Sequence, residues 1–289
     1  MAYKVLNNVS VKDVTSSDLL SLKTDLLVIV INKNTKDKVV NQLAKDVSSH
    51  LKESGSSVLV PNAKSFNAKN VLLVKGFQDS DQIHKLISMY QSIAQKGNQL
   101  KAKDISIMPG TVYPKGKCEM WLIEMVAKTI ESNVYIFSET CNKTAKKPSV
   151  KKLNILVSSL TKSDLIKAKN AAKKGYAIGE GVNSAKYLGD LPANHCTPRI
   201  IEKKVKAMTK DFPKLKVKSF NENQMKKMGM GSFLSVSRGS EEPARMMVIE
   251  YKGGKSSEKP VALVGKGVTF DTGGVSIKPS PAMDEMKWD

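Results

Sequence analysis

The feature that most constrains the fold is a series of near-continuous apolar runs, rich in β-branched residues, separated by segments whose apolar positions recur every three or four residues. Leu26 to Ile31, Val58 to Val60, Val71 to Val74, Ile105 to Met108 and Val134 to Phe137 read as strands. Several are uninterrupted rather than alternating, which suits strands buried on both faces. Val39 to Leu51, Asp81 to Ala94 and Glu119 to Ile130 read as the helices between them. The alternation predicts a compact α/β domain whose sheet is largely parallel and covered by helices.

A lysine-dense run, Lys143, Lys146, Lys147, Lys151 and Lys152 around Pro148, reads as an exposed linker. It closes a small N-terminal α/β domain at residues 1–150. Residues 151–188 then form a connecting strand and helix. Leu153 to Val157 is the strand, and Ser163 opens a long helix toward Leu188, with Ser163 as N-cap and Asp164 as a first-turn acid. Thr197 and Pro198 start a further helix through Met208 as cap and first helical residue. Strands at Leu215 to Phe220 and Met246 to Tyr251 bracket a short helix at Gln224 to Met228. Residues 189–289 thus begin a second α/β domain, with a central mixed sheet that is still incomplete at Asp289.

Bulk properties exclude several classes. A chain of 289 residues suffices for about two domains. No apolar stretch approaches the roughly 18 residues that span a bilayer, and the first residues lack a basic region followed by an apolar core. Cys118, Cys141 and Cys196 are odd in number with no C-x-x-C pairing, which suits reduced thiols and a cytoplasmic setting. The net charge of +20 is spread, with 21 basic against 13 acidic residues up to 150 and 26 against 14 beyond. Of the 47 basic residues only Arg199, Arg238 and Arg245 are arginine, the side chain that suits base reading, so nonspecific affinity for polyanions is the expected nucleic-acid interaction.

The segment from Lys259 to Asp289 carries the chemistry. Val261 to Val264 reads as a strand buried on both faces, broken by Gly265, Lys266 and Gly267. Ligands of open α/β sheets bind beyond the carboxyl ends of strands, which puts Lys266 and Asp271 where a site is expected, with Gly273 and Gly274 allowing a tight turn. Phosphate motifs fail here. Phe270 replaces the third glycine of G-x-G-x-x-G, and Ile249 replaces the first glycine of the P-loop pattern that Gly254, Lys255 and Ser256 would end. His50, His84 and His195 are scattered, so a histidine-built zinc site is not expected. The remaining set is Lys266, Asp271, Lys278 and Asp289, since carboxylates attract hard dications and a deprotonated amine can ligate a metal. Asp284 and Glu285 read as first-turn helix charges, Trp288 as core packing, and Asn194 as a loop-stabilising residue.

The stretch GKGVTFDTGGVSIKPSPAMDEMKWD, together with DLPANHCTP at Asp190 to Pro198 and MGMGSFLSVSRGSEEPAR at Met228 to Arg245, closely resembles the leucyl aminopeptidase (cytosol aminopeptidase) family. The likeness is strong from about Gly179 onward and architectural before it. It implies a metal-dependent exopeptidase that releases N-terminal residues, leucine preferred, from peptide substrates by means of two divalent ions, Mn²⁺ or Zn²⁺. It assigns metal-ligand roles to Lys266, Asp271 and Asp289, with Asp271 bridging the ions. Lys278 takes the role of the catalytic lysine that stabilises the oxyanion. The ions would polarise the carbonyl, activate water and hold the substrate's free amine. Members are cytoplasmic homo-hexamers with a small N-terminal α/β domain.

In the family a second motif, N-T-D-A-E-G-R, adds two carboxylate ligands and an arginine, and that string does not occur among these 289 residues. The expectation is therefore a fragment or truncated product, inactive alone and poorly soluble. The alternatives are a non-catalytic subunit or regulator, or a DNA-binding protein of the same fold.

Overall fold

The computed structural model describes residues 5–32, 38–47, 51–77, 83–110, 113–142, 147–255 and 257–288. His50, Asp81, Lys143, Lys146, Ser256 and Asp289 lie outside the described residues. The chain forms two compact units, Tyr3–Ser184 and a second that contains Ala185–Asp289.

The first unit is organised by its continuous apolar runs. β2 (Thr24–Ile31), β4 (Ala68–Lys75), β5 (Asp104–Met108) and β6 (Lys152–Val157) join β1 (Asn8–Asp13) and β3 (Ser57–Pro61) in a six-stranded sheet of order β1-β6-β5-β2-β4-β3. Every neighbouring pair is parallel except the antiparallel β3–β4 edge. Register places Val28 beside both Leu72 and Ile107, so the most apolar strand lies centrally. Its alternate residues enter two cores. Leu26, Val28 and Val30 pack with Ile105, Ile107 and Leu153, whereas Leu27 and Ile29 pack with Val71, Leu73 and Phe66. Both faces are dry, which is why these strands carry no polar alternation. At the β3 edge Pro61 ends the strand where a missing N–H donor is tolerated.

Helices cover the sheet as the three- and four-residue periodicity requires. α1 (Ser16–Ser21) contributes buried Leu19, and α2 (Lys38–Asp46) contributes Val40 to the second core. α3 (Ile83–Gln99) and α4 (Glu119–Val134) line the first core. α5 (Lys162–Asp190) packs against α4 so closely that a Cβ at Gly175 would lie 2.0 Å from the Glu124 carbonyl oxygen. Glu131 of α4 is wholly buried and accepts hydrogen bonds from the Val5 and Leu6 N–H groups at 2.8 and 3.0 Å. The Asn183 amide donates a further bond to it at 2.9 Å.

Several expectations are corrected. Val134 to Phe137 is not a strand: α4 runs through buried Val134, whose carbonyl accepts from Asn98 at 2.9 Å, and the sheet position beside β5 belongs to β6. The lysine run is not a linker where it is described. Val150 is fully buried, the Lys151 N–H donates to the Lys103 carbonyl at 2.8 Å, and Lys152 begins β6. β6 inserts between β1 and β5, so it packs within the unit Tyr3–Ser184. Thr161, not Ser163, caps α5: its Oγ1 accepts the Asp164 N–H at 3.1 Å. α2 ends at Asp46 rather than reaching Leu51.

In the second unit, α6 (Pro198–Met208) starts at Thr197, whose hydroxyl accepts the Ile200 N–H, with Pro198 in the first turn. β7 (Leu215–Phe220) and β8 (Met246–Tyr251) pair antiparallel, and α7 (Glu222–Lys227) and α8 (Gly231–Ser237) lie between them in sequence. Glu202 of α6 accepts from Lys206 at 2.6 Å and from Arg245 at 2.7 Å, and these bonds, Lys206 first, hold its carboxyl down at about 2. Among the described residues no helix is long and apolar enough to cross a membrane.

Candidate active site

The expected strand at Val261 to Val264 does not form. Val261, Leu263 and Val264 are 87, 94 and 98% exposed. A strand exists only through ladder partners, and among the described residues β7 and β8 of this unit pair with each other and not with this run. The site residues therefore stand on irregular backbone, where local hydrogen bonds fix their geometry.

Asp271 is the centre of that geometry. Its Oδ1 accepts the Gly273 N–H at 2.9 Å, and its Oδ2 lies 3.0 Å from the Lys278 ammonium. The Lys278 N–H donates to the Thr272 carbonyl at 2.9 Å and closes the loop between them. Gly273 has φ +91°, and a Cβ there would stand 2.3 Å from the Ser276 carbonyl oxygen, so the closure requires glycine. The Gly273 N–H, then the Lys278 ammonium, hold the Asp271 carboxyl below the usual carboxylate range, and the charge of Lys266 adds to this.

Lys278 has a second neighbour, the Met286 thioether, whose Sδ lies 3.0 Å from Nζ. Met286 belongs to a 3₁₀ turn, Met283–Trp288, with Asp284 and Glu285 in its first turn as expected. Lys287 Nζ donates to the Asp190 carbonyl at 3.3 Å, and the Trp288 indole faces Gly189, where a Cβ would be 3.1 Å away. Trp288 is nonetheless 57% exposed, which corrects its assignment to the core: one face of the ring rests on Gly189 while the rest meets solvent. Asn194 is exposed in a turn closed by backbone bonds from His195 and Cys196 to the Pro192 carbonyl.

The structure thus brings Asp271 and Lys278 into contact and sets Lys266 near enough to act on Asp271 by charge. Asp289 lies outside the described residues. The residue missed in the sequence is Met286, eight positions beyond Lys278 and set on the 3₁₀ turn after a stretch of irregular backbone, so no regular element links the two in the sequence. Among the described residues no group of three His, Cys, Asp or Glu converges. The donor set is accordingly an ionised, part-exposed carboxylate with a neighbouring amine, and such a carboxylate suits a hard divalent cation.

Residues 183–289 match the cytosol aminopeptidase family, catalytic domain. Curated relatives include a probable cytosol aminopeptidase of Pseudomonas fluorescens (strain SBW25), 35% identical over 284 residues, which cover 93% of this chain and 56% of the relative. Another, from Aromatoleum aromaticum, is 42% identical over 188 residues, which cover 65% of this chain and 37% of the relative. Among solved structures, a mutant of tomato leucine aminopeptidase superposes with TM-score 0.75 at 21% identity, over 96% of this chain and 56% of the other. The bottromycin maturation enzyme BotP in complex with Mn gives 0.69 at 21% identity, over 92% and 53%. These two likenesses speak for the fold alone. The chain spans about half the length of the relatives it matches.

Proposed function

We propose, from the match of residues 183–289 to the cytosol aminopeptidase catalytic domain and from 35% identity over 284 residues to a probable cytosol aminopeptidase, that the second unit carries part of the catalytic centre of a metal-dependent aminopeptidase that removes N-terminal residues, leucine preferred, from peptides. The observation that carries this reading is the 3.0 Å contact between Asp271 and Lys278 inside a glycine-closed loop. It joins an acid and an amine from one matching segment in a geometry that the loop backbone fixes.

Asp271, Lys266 and Asp289 would hold the divalent ions, two of them, Mn²⁺ or Zn²⁺, with Asp271 shared. When bound, the ions supply Lewis acidity toward the substrate carbonyl and lower the pKa of water. The remaining work belongs to the chain. The Gly273 N–H keeps the Asp271 carboxylate ionised and aimed. Lys278 brings a fixed positive charge to the place where negative charge develops on the carbonyl oxygen, which favours the transition state over the bound peptide. A homo-hexameric assembly and a cytoplasmic setting belong to the same proposal, and nucleic acid enters it only through nonspecific attraction to the basic surface.

The ligands that the resemblance assigns within these residues, Lys266, Asp271 and Asp289, are two carboxylates and an amine for two dications. We expect the chain alone to bind a divalent ion through Asp271 without turnover. Leucine p-nitroanilide hydrolysis and Mn²⁺ binding are measured on the purified 289-residue chain and on Asp271→Ala. Binding that disappears in Asp271→Ala supports the reading. Hydrolysis that disappears in Asp271→Ala overturns the expected inactivity, and Mn²⁺ binding unchanged in that variant overturns the assignment of Asp271.

A further inference from the structure

We propose a second binding site, in the first unit and independent of the aminopeptidase reading: the carboxyl end of β2 forms the floor of a crevice that takes a small phosphate-bearing ligand. Topology sets its place. From β2 the chain passes through α2 to β3 and β4 on one side, then returns through α3 to β5 on the other, so the strand order reverses at β2. α2 packs on one face of the sheet, whereas α3 and α4, which follow β4 and β5, pack on the opposite face. The connections thus part over β2, and open, largely parallel sheets take their ligands beyond the carboxyl ends of the strands at such a point.

Residue types at this end bring backbone, not side chain, against the central strand. Gly76 follows β4 and Gly110 lies just beyond β5. A Cβ at Gly76 would stand 3.0 Å from the Ile31 carbonyl oxygen and 3.1 Å from Val30 Cγ1, and one at Gly110 would stand 3.2 Å from the same Val30 carbon. Gly110 has φ +80°, which suits glycine, and the wholly buried Tyr90 holds the residue before it by donating to the Pro109 carbonyl at 2.6 Å. Asn32, the half-buried residue after β2, has its Nδ2 3.4 Å from where a Gly110 Cβ would stand, so its amide belongs to the same end. No glycine-rich fingerprint marks the place in sequence, because the two glycines come from different strands. Charge then selects the ligand. Among the described residues between β2 and α2 and between β5 and α4, Lys38, Lys115 and Lys117 are exposed and no acid occurs, Glu119 in the first turn of α4 being the acid that follows. An amide, glycine backbone and lysine charge suit phosphate oxygens, which accept hydrogen bonds and carry negative charge.

The test is titration of the ¹⁵N-labelled 289-residue chain with ADP, inorganic pyrophosphate and adenosine, followed through backbone amide shifts. ADP and pyrophosphate should move the Asn32, Gly76 and Gly110 amides saturably, and adenosine should not. Asn32→Asp keeps the shape of the side chain but faces the phosphate with a like charge, and should weaken ADP binding by about tenfold or more. Asn32→Ser, which removes the amide and adds no charge, should weaken it by about threefold and serves where the aspartate variant melts early. Lys152→Gln changes the net charge by the same single unit at the amino end of β6, a strand's length away and beyond the screening distance at physiological salt, and should leave the affinity within about twofold. Unmoved amides at all three positions in wild type overturn the site. Equal weakening in Asn32→Asp and Lys152→Gln, with shifts scattered over the exposed lysines, overturns it in favour of generic attraction to polyanions. Adenosine that binds as ADP does overturns the phosphate class.

Discussion

Substituting Gly273 separates the backbone requirement of the site loop from its sequence context, because the adjacent Gly274 supplies the control. Both have positive φ, +91° and +69°, but a Cβ at Gly273 would lie 2.3 Å from the Ser276 oxygen and 2.9 Å from the Lys278 nitrogen, whereas Gly274 meets nothing within 4 Å. Gly274→Ala thus bears only the left-handed backbone penalty, about 1 kcal/mol. Gly273→Ala adds an obstruction that is backbone, so the loop must open. That breaks the Lys278 N–H bond to Thr272 and the Gly273 N–H bond to Asp271, each worth about 1 kcal/mol. Global melting should move little, since the loop is largely exposed, while local opening should become about 2–3 kcal/mol easier in Gly273→Ala. Amide hydrogen exchange at Lys278, resolved by NMR, reads this directly. We expect its protection to fall by about 30-fold or more in Gly273→Ala and by less than about tenfold in Gly274→Ala, at roughly tenfold per 1.4 kcal/mol. Equal protection in the two variants would refute the claim that the Ser276 and Lys278 backbone walls make glycine obligatory at 273.

The first unit offers a pH test and the second a surface test. Burial raises the Glu131 pKa from its ordinary 4.5, against the bonds from Val5, Leu6 and Asn183 that lower it. A raised folded-state value means that the group's favourable contribution is complete below about 4.5 and is lost as pH rises through the raised value. Glu131→Gln should therefore flatten the pH dependence of the melting temperature above 4.5 relative to wild type, and parallel curves would sink the assignment. The exposed apolar run Val261, Leu263 and Val264, with Val275 and Ile277 also exposed, should make the chain bind a hydrophobic dye and self-associate with rising concentration. Val261→Ser with Leu263→Ser should reduce both, and sedimentation that shows a dye-silent monodisperse wild type would count against it.

Much of the first unit was legible because burial on both faces writes itself into the sequence as unbroken apolar runs, as in Leu26 to Ile31 and Val71 to Val74. β1 was not, since Asn8–Asp13 is an edge strand of mostly polar or part-exposed residues that, among the described residues, pairs with β6 alone. Val134 to Phe137 misled for the opposite reason. Its first residue, Val134, ends a buried helix and Tyr135 caps it, and four residues are too few for periodicity to separate helix from strand. The lysine run misled because charge marks exposure of single side chains and not of the backbone between them: Val150 is buried within it. At the site, Lys266, Asp271 and Lys278 could be named from one segment, but the roles of the Gly273 N–H and the Met286 sulfur follow from backbone conformation that residue types do not specify.

The site loop keeps its form without the strand expected before it because its contacts are short in sequence. Gly273 bonds Asp271, Lys278 bonds Thr272 and pairs with Asp271, and Met286 lies eight residues from Lys278. Closing such small loops costs little chain entropy, and that cost grows only by about 0.6 kcal/mol per doubling of length, so a few bonds of ordinary strength can hold them. A strand at Val261 to Val264 has no such local recourse, since each of its backbone groups needs a partner from another segment. The two halves of the segment from Lys259 to Trp288 therefore differ in kind. The glycine-closed half carrying Asp271 and Lys278 is specified by its own residues, while the apolar half carrying Val261 to Lys266 takes its structure only from a ladder. Charge crosses that divide more easily than geometry does, which is how Lys266 still lowers the Asp271 pKa from exposed, irregular backbone.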